Sequence, residues 1–144
     1  MKQKILLSVM MMAMVLVATS CSKSEDNGSS IPSDYVGTWT CNEYCQPNNT
    51  SLFIAMYAED GYPSTTVTLN ADGTCSGSGL VINGNGTWTI EPGDKFKDGY
   101  YAIITFYQNG KVVNTAWVES YMNDHRTGFV RLQNYPDKWF VFKR

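Results

Sequence analysis

The sequence is short of almost everything that announces chemistry. It holds one histidine, His125, and its four cysteines lack the close pairs that structural zinc requires, so no metal site is indicated. Basic residues are not in excess: 11 Lys and Arg face 13 Asp and Glu, a net charge of −2, and without a concentrated basic face nucleic acid is excluded as a partner. No apolar run reaches the ~20 residues of a membrane-spanning helix. The longest, Ile5 to Ala18, falls short. Aromatic residues are missing before Cys21, and after it no apolar period of 3.6 persists for as much as ~10 residues, which argues against amphipathic helices there.

What is present divides the chain in three. Met1-Lys2-Gln3-Lys4 is a basic start, Ile5 to Ala18 an apolar stretch, and Thr19-Ser20 a small polar end, the anatomy of a cleaved signal peptide over residues 1–20. Residues 21–33 are polar, with Gly28, Ser29, Ser30 and Pro32, and carry too little apolar surface to offset ordering entropy, as a disordered tether would. Residues 34–144 suit a single domain. Loss of Lys2 and Lys4 with the leader takes the net charge from −2 to −4.

The domain reads as a string of strands. Apolar or alternating runs at Tyr35 to Tyr44, Leu52 to Tyr57, Thr65 to Leu69, Thr74 to Leu80, Thr87 to Glu91, Tyr100 to Tyr107, Val112 to Met122, Phe129 to Gln133 and Trp139 to Phe142 are separated by Asn, Gly, Asp and Pro turns. The turns include Asn70-Ala71-Asp72-Gly73, Asn83-Gly84-Asn85-Gly86 and Asn109-Gly110. The expectation is an all-β, antiparallel up-and-down barrel of 8 to 9 strands, because closure leaves no sheet edge exposed. Closure requires an even number, so a ninth strand would be a flanking piece, with Leu52 to Tyr57 and Trp139 to Phe142 the weakest runs.

Three resemblances add to this reading. Ala18-Thr19-Ser20-Cys21 resembles the lipobox of bacterial lipoproteins, which implies that Cys21 is acylated, palmitate included, and anchors the protein to the outer membrane of a Gram-negative cell. Ser22-Lys23-Ser24-Glu25-Asp26 resembles the surface-export signal of some such lipoproteins, so the protein would face the periplasm or the cell surface. Tyr35-Val36-Gly37-Thr38-Trp39, Thr66 to Thr74 and Gly86-Thr87-Trp88-Thr89-Ile90 resemble the lipocalin-like domains of small Gram-negative lipoproteins. That resemblance implies that Gly37 and Trp39 close the base of the barrel.

Alternating turns would place residues 46 to 50, 70 to 73, 91 to 99 and 122 to 126 on one rim, away from the tether. Cys45, Asp72, Asp94, Asp98, Asp124, His125 and Arg126 would then face outward from the membrane. Trp39, Trp88, Ile104, Phe106 and Trp117 are expected to point inward, with Trp88, Phe106, Trp117 and Tyr121 lining any ligand site. Cys41 and Cys45 would stand ~13 Å apart in one strand, too far for a disulfide. Cys45 with Cys75 is the first pairing to consider and Cys41 with Cys75 the second.

Glu43 and Glu119 share strand parity with Trp39 and Trp117, so a carboxylate pair inside the barrel is conceivable. No nucleophile has a base and orienting group beside it, so no catalytic constellation is found, and no cofactor is called for. Alternation fails at Tyr100 to Tyr107, Leu52 to Tyr57 and Trp139 to Phe142, so these strands are either covered outside or present aromatics to a partner. The leading expectation is a lipid-anchored barrel binding a small apolar ligand near its open rim. The alternative is a module that holds a protein or glycan, with a filled barrel behind it.

Overall fold

The computed structural model describes residues 31–46, 49–55, 60–122 and 125–144, with side chains described except at 46–59 and 122–124. Nine strands follow in order: β1 (Gly37–Gln46), β2 (Asn49–Ala55), β3 (Thr65–Leu69), β4 (Thr74–Ser78), β5 (Gly84–Pro92), β6 (Ala102–Gln108), β7 (Lys111–Met122), β8 (Thr127–Leu132) and β9 (Tyr135–Lys143). A one-turn helix, α1 (Lys95–Asp98), lies between β5 and β6. The expected signal peptide, most of the expected tether and Cys21 lie outside the described residues. Ile31 already packs against the core, and Tyr35 N–H donates to the Pro32 carbonyl at 3.2 Å in the turn that leads into β1.

Local chemistry makes the hairpins. Between β3 and β4 the Asp72 carboxylate accepts from the Thr74 amide (2.9 Å) and hydroxyl (2.6 Å), bonds that hold its pKa below the ordinary value, while Gly73 takes φ 82°. Between β6 and β7, Asn109 (φ 51°) and Gly110 (φ 74°) both occupy the left-handed region that a tight hairpin turn requires.

All pairings are antiparallel, and a β1–β9 pairing closes β1 and β3 to β9 into an eight-stranded barrel. β2 is the extra flanking strand. One edge of β1 is divided: its first half pairs with β3 (Gly37↔Leu69 to Cys41↔Thr65), and its second half with β2 (Glu43↔Ala55 to Gln46↔Asn49). Trp139 to Phe142, by contrast, belongs to the strand that closes the barrel.

That division overturns the expected rim. β2 and β3 both run antiparallel to β1 and therefore parallel to each other, which displaces the alternation of ends by one. The turns at 70–73 and 93–101 lie at the near end, where the chain enters at Gly37, together with residues 125–126; Asp72, Asp94, Asp98, His125 and Arg126 are thus all there. The far end carries the end of β1 and the start of β2, with 79–83, 109–110 and 133–134, and Cys45 is close by. Asp124 lies outside the described side chains.

Bulges decide which face each side chain takes. β1 slips between Cys41 and Glu43 against β9, so Trp39 and Cys41 point inward before it and Tyr44 after it. Glu43 is thereby turned out, where Lys143 pairs with it at 3.0 Å. Cys45 shares that outer face and is buried in a second cluster with Phe129 and Val141, with Trp139 packed against it. Burial on both faces explains why alternation fails in β9.

Neither expected disulfide is made: Cys41, Cys45 and Cys75 are free and buried. Cys75 faces inward on β4, opposite Leu69 on β3. β3 separates it from β1, and Cys41 stands about four residues farther along the barrel. The two sulfurs are thus held ~15 Å apart, and Cys45 is more distant and on the opposite face. Burial pushes the Cys41 thiol up to about 12 and raises those of Cys45 and Cys75. At about pH 8 the folded protein should therefore leave these three thiols unmodified by iodoacetamide, and the denatured chain should be fully alkylated. Rapid labelling of the folded state, or a disulfide-linked peptide in its digest, would contradict this arrangement.

Candidate functional site

A barrel acts through its lumen, its rims or its outer wall. The near end of the lumen is covered by residues 34–39 and Arg144. Gly37 sits at φ 135°, a conformation that L side chains rarely adopt, and a Cβ there would stand 3.1 Å from Arg144 Cδ. Arg144 uses the room this leaves. Its guanidinium donates to the carbonyls of Asp34 (3.1 Å) and Val36 (2.9 Å) and lies 5.2 Å from the Trp39 ring centroid. Trp39 Nε1 donates to the Tyr35 carbonyl at 2.9 Å. Trp88 seals the neighbouring sector, its Nε1 donating to the Asn70 carbonyl at 3.0 Å.

The far end is plugged by the connection from β4 to β5. Leu80, Val81 and Ile82, whose apolar character suggests an extended β4, leave the sheet and are buried in the core. The strand resumes at Gly84, so the turn expected at 83–86 is displaced to 79–83. Gly77 and Gly86 face inward opposite Val67 and Cys75, and the space they leave is taken by Ile82: a Cβ on Gly77 would stand 3.0 Å from its Cγ2, and one on Gly86 2.6 Å from its Cδ1.

Polar bonds fix the plug. Asn114, buried on the inner face of β7, donates to the carbonyls of Leu80 (2.9 Å) and Val81 (3.3 Å) and accepts from the Thr115 amide (2.9 Å). Thr65 Oγ1 accepts from the Leu80 amide at 2.8 Å. Tyr62 covers the adjacent sector, with ring centroids 5.2 Å from Tyr44, 5.4 Å from Tyr135 and 5.8 Å from Phe140. Lys138 Nζ lies 5.4 Å from the Tyr62 centroid.

Between the two closures remains a cavity of about 50 Å³, bounded among others by Trp39, Val67, Ile104, Phe106, Tyr121 and Leu132, with no polar atom facing it. It is a third of the ~150 Å³ apolar cavity that accepts benzene, and well below the ~300 Å³ where ligand pockets begin. Tyr121 reaches the cavity because a bulge between Val118 and Ser120 turns it inward. Its hydroxyl is buried beside that of Tyr35, and burial first, then the Tyr35 hydroxyl, raise its pKa far above the ordinary value.

The expected lining residues are thus divided. Phe106 and Tyr121 border the cavity, Trp88 is buried inward but outside its wall, and Trp117 does not point inward at all. Ala116 and Val118 are the inward residues on either side of Trp117, which lies on the outer wall 5.5 Å below the Arg131 guanidinium. Glu119 pairs with that same arginine at 2.6 Å. Glu43 and Glu119 therefore stand outside the barrel, each with a cationic partner, and form no catalytic pair. His125 is exposed at φ 62° in the β7–β8 turn, its ring 4.5 Å from that of Tyr121. Among the described residues no group of three or more His, Cys, Asp or Glu could hold a metal ion.

The plug was not foreseen, although its signal is present. Parity from Cys75 and from Trp88 puts two glycines, Gly77 and Gly86, on the inner face, and something must fill the space above them. Comparison with known proteins finds no family model, no curated protein and no solved structure that matches the chain.

Replacing Ile82 with Ala should destabilise the protein by about 2–5 kcal/mol in chemical denaturation, the usual cost of emptying a packed site. The lumen should widen enough for xenon to bind in the crystal. An unchanged denaturation midpoint would mean that Ile82 does not fill the barrel.

Proposed function

We propose that the protein is a lipoprotein anchored by acylated Cys21 in the outer membrane of a Gram-negative cell, and that its lipocalin-like barrel is an interaction module for a protein or glycan partner. The observation that carries this reading is the lumen. A residual space of about 50 Å³ with no polar atom facing it offers a small molecule neither volume nor orienting contacts. A filled barrel is instead a rigid mount for its surfaces.

The far end supplies the better contact face, because the tether leaves from the other. Val112 (55 % exposed) and Val113 (37 %) stand beside Lys111 at the β6–β7 hairpin, and Tyr62, Tyr135 and Lys138 form the opposite part of the rim. Such a mix of exposed apolar and aromatic groups with a polar border is how partner surfaces are composed. The second reading, a carrier of a small apolar ligand, draws on the wholly apolar wall of the lumen, which would have to widen by displacing Ile82.

Mass spectrometry of small molecules extracted from protein purified from its own host separates the two. The module should release none in stoichiometric amount, and repeated recovery of one apolar compound at one per chain would replace it with the carrier. For the anchor, Cys21→Ala should give an unacylated protein that is lost from the membrane fraction. Full retention would refute anchoring at Cys21.

A further inference from the structure

Phe96 is the most exposed large apolar residue described: at 102 % relative exposure it touches almost nothing of its own protein. Such a side chain on a floppy loop would mean little, but Phe96 is held on a tied turn. Asp94 Oδ1 accepts from the Phe96 amide at 2.9 Å, Asp98 Oδ2 from the Asp94 amide at 3.0 Å, and Lys95 Nζ donates to the Gly99 carbonyl at 2.7 Å. Gly99, at φ 84°, ends the turn. The backbone thus holds the ring in solvent at the near end of the barrel. Tyr101, 39 % exposed, adds a second aromatic in the same connection.

Lys95 and Lys97 flank the ring in sequence, and the turn itself engages Asp94, Asp98 and the Lys95 ammonium. An exposed aromatic flanked in sequence by lysines, with a half-exposed tyrosine in the same connection, is the composition of groups that settle at a bilayer interface, where rings enter the headgroup boundary and ammonium groups meet lipid phosphates.

The chain's own connectivity points the same way. Ile31 enters at the near end, a Cβ on Gly73 of the 70–73 turn coming within 4.0 Å of its Cδ1. From Cys21 to Ile31 the chain reaches at most ~35 Å at ~3.5 Å per residue. An anchor at Cys21 therefore keeps this end within reach of the membrane.

We propose that the β5–β6 connection is a second membrane contact, in which Phe96 enters the phospholipid headgroup region between Lys95 and Lys97 and stands the barrel with its near end on the bilayer and its far end outward. This rests on the Cys21 anchor for its orientation. The burial of Cys41, Cys45 and Cys75 supplies a clean probe, since a cysteine introduced at an exposed position is the accessible thiol.

Lipidated full-length protein carrying Phe96→Cys, or Lys111→Cys at the far end, is labelled with an environment-sensitive fluorophore and placed in phosphatidylcholine–phosphatidylglycerol vesicles containing brominated lipid. The label at 96 should shift to the blue and be quenched, whereas that at 111 should keep its aqueous spectrum. Adding Lys97→Glu should weaken quenching at 96. If the protein stays on the vesicles and the label at 96 remains aqueous, the contact is wrong and the anchor stands. If the protein leaves the vesicles altogether, the anchor and this contact fail together.

Discussion

The structure depends on what β1 is asked to do. A ten-residue strand has two edges, and here one edge serves β9 along much of its length while the other is shared by β3 and β2. Pairing with β9 closes the barrel and removes an exposed edge that would template association with another chain. Sharing the opposite edge lets a ninth strand exist without breaking the even count that antiparallel closure demands. It also places two consecutive strands in the same direction, and every later turn changes ends as a result. The bulge beyond Cys41 comes from the same strand, and it decides that Tyr44 enters the core and that Glu43 meets Lys143 outside.

The lumen follows from a second constraint, that of volume. An eight-stranded barrel has room for its own side chains or for one small ligand. Here Trp39, Trp88, Phe106 and Phe140 occupy much of it, and the sector left thin by Gly77 and Gly86 is filled by Ile82 from the adjoining loop. Asn114 shows that this filling is specific. A buried amide is costly unless satisfied, and this one bonds the Leu80 and Val81 carbonyls of the plug. A widened lumen would have to break those bonds first, which is why the surfaces of the barrel carry the functional proposal.

Much of the fold was legible because it is local. Threonine, valine and aromatic runs make strands, Asn109-Gly110 and Asp72-Gly73 make hairpins, and these rules act over a few residues at a time. The inward placement of Trp39, Trp88, Ile104 and Phe106 was legible too, since each keeps the parity of its strand up to the first bulge. Trp117 was misplaced: parity carried along β7 is only as good as its starting point, and one residue of slip exchanges the faces. Leu80 to Ile82 misled for a different reason. Three apolar residues after a strand satisfy the same local pattern whether they extend the sheet or fold over its end.

The sequence by itself determined the strand inventory and the hairpin turns at Asp72-Gly73 and Asn109-Gly110, because backbone preference and side-chain alternation are encoded residue by residue. Only the tertiary structure decided which end each turn occupies, which face Glu43, Cys45 and Trp117 take, and that the barrel fills itself. Those outcomes depend on register between strands distant in the chain, and on bulges whose single extra residue no local pattern records.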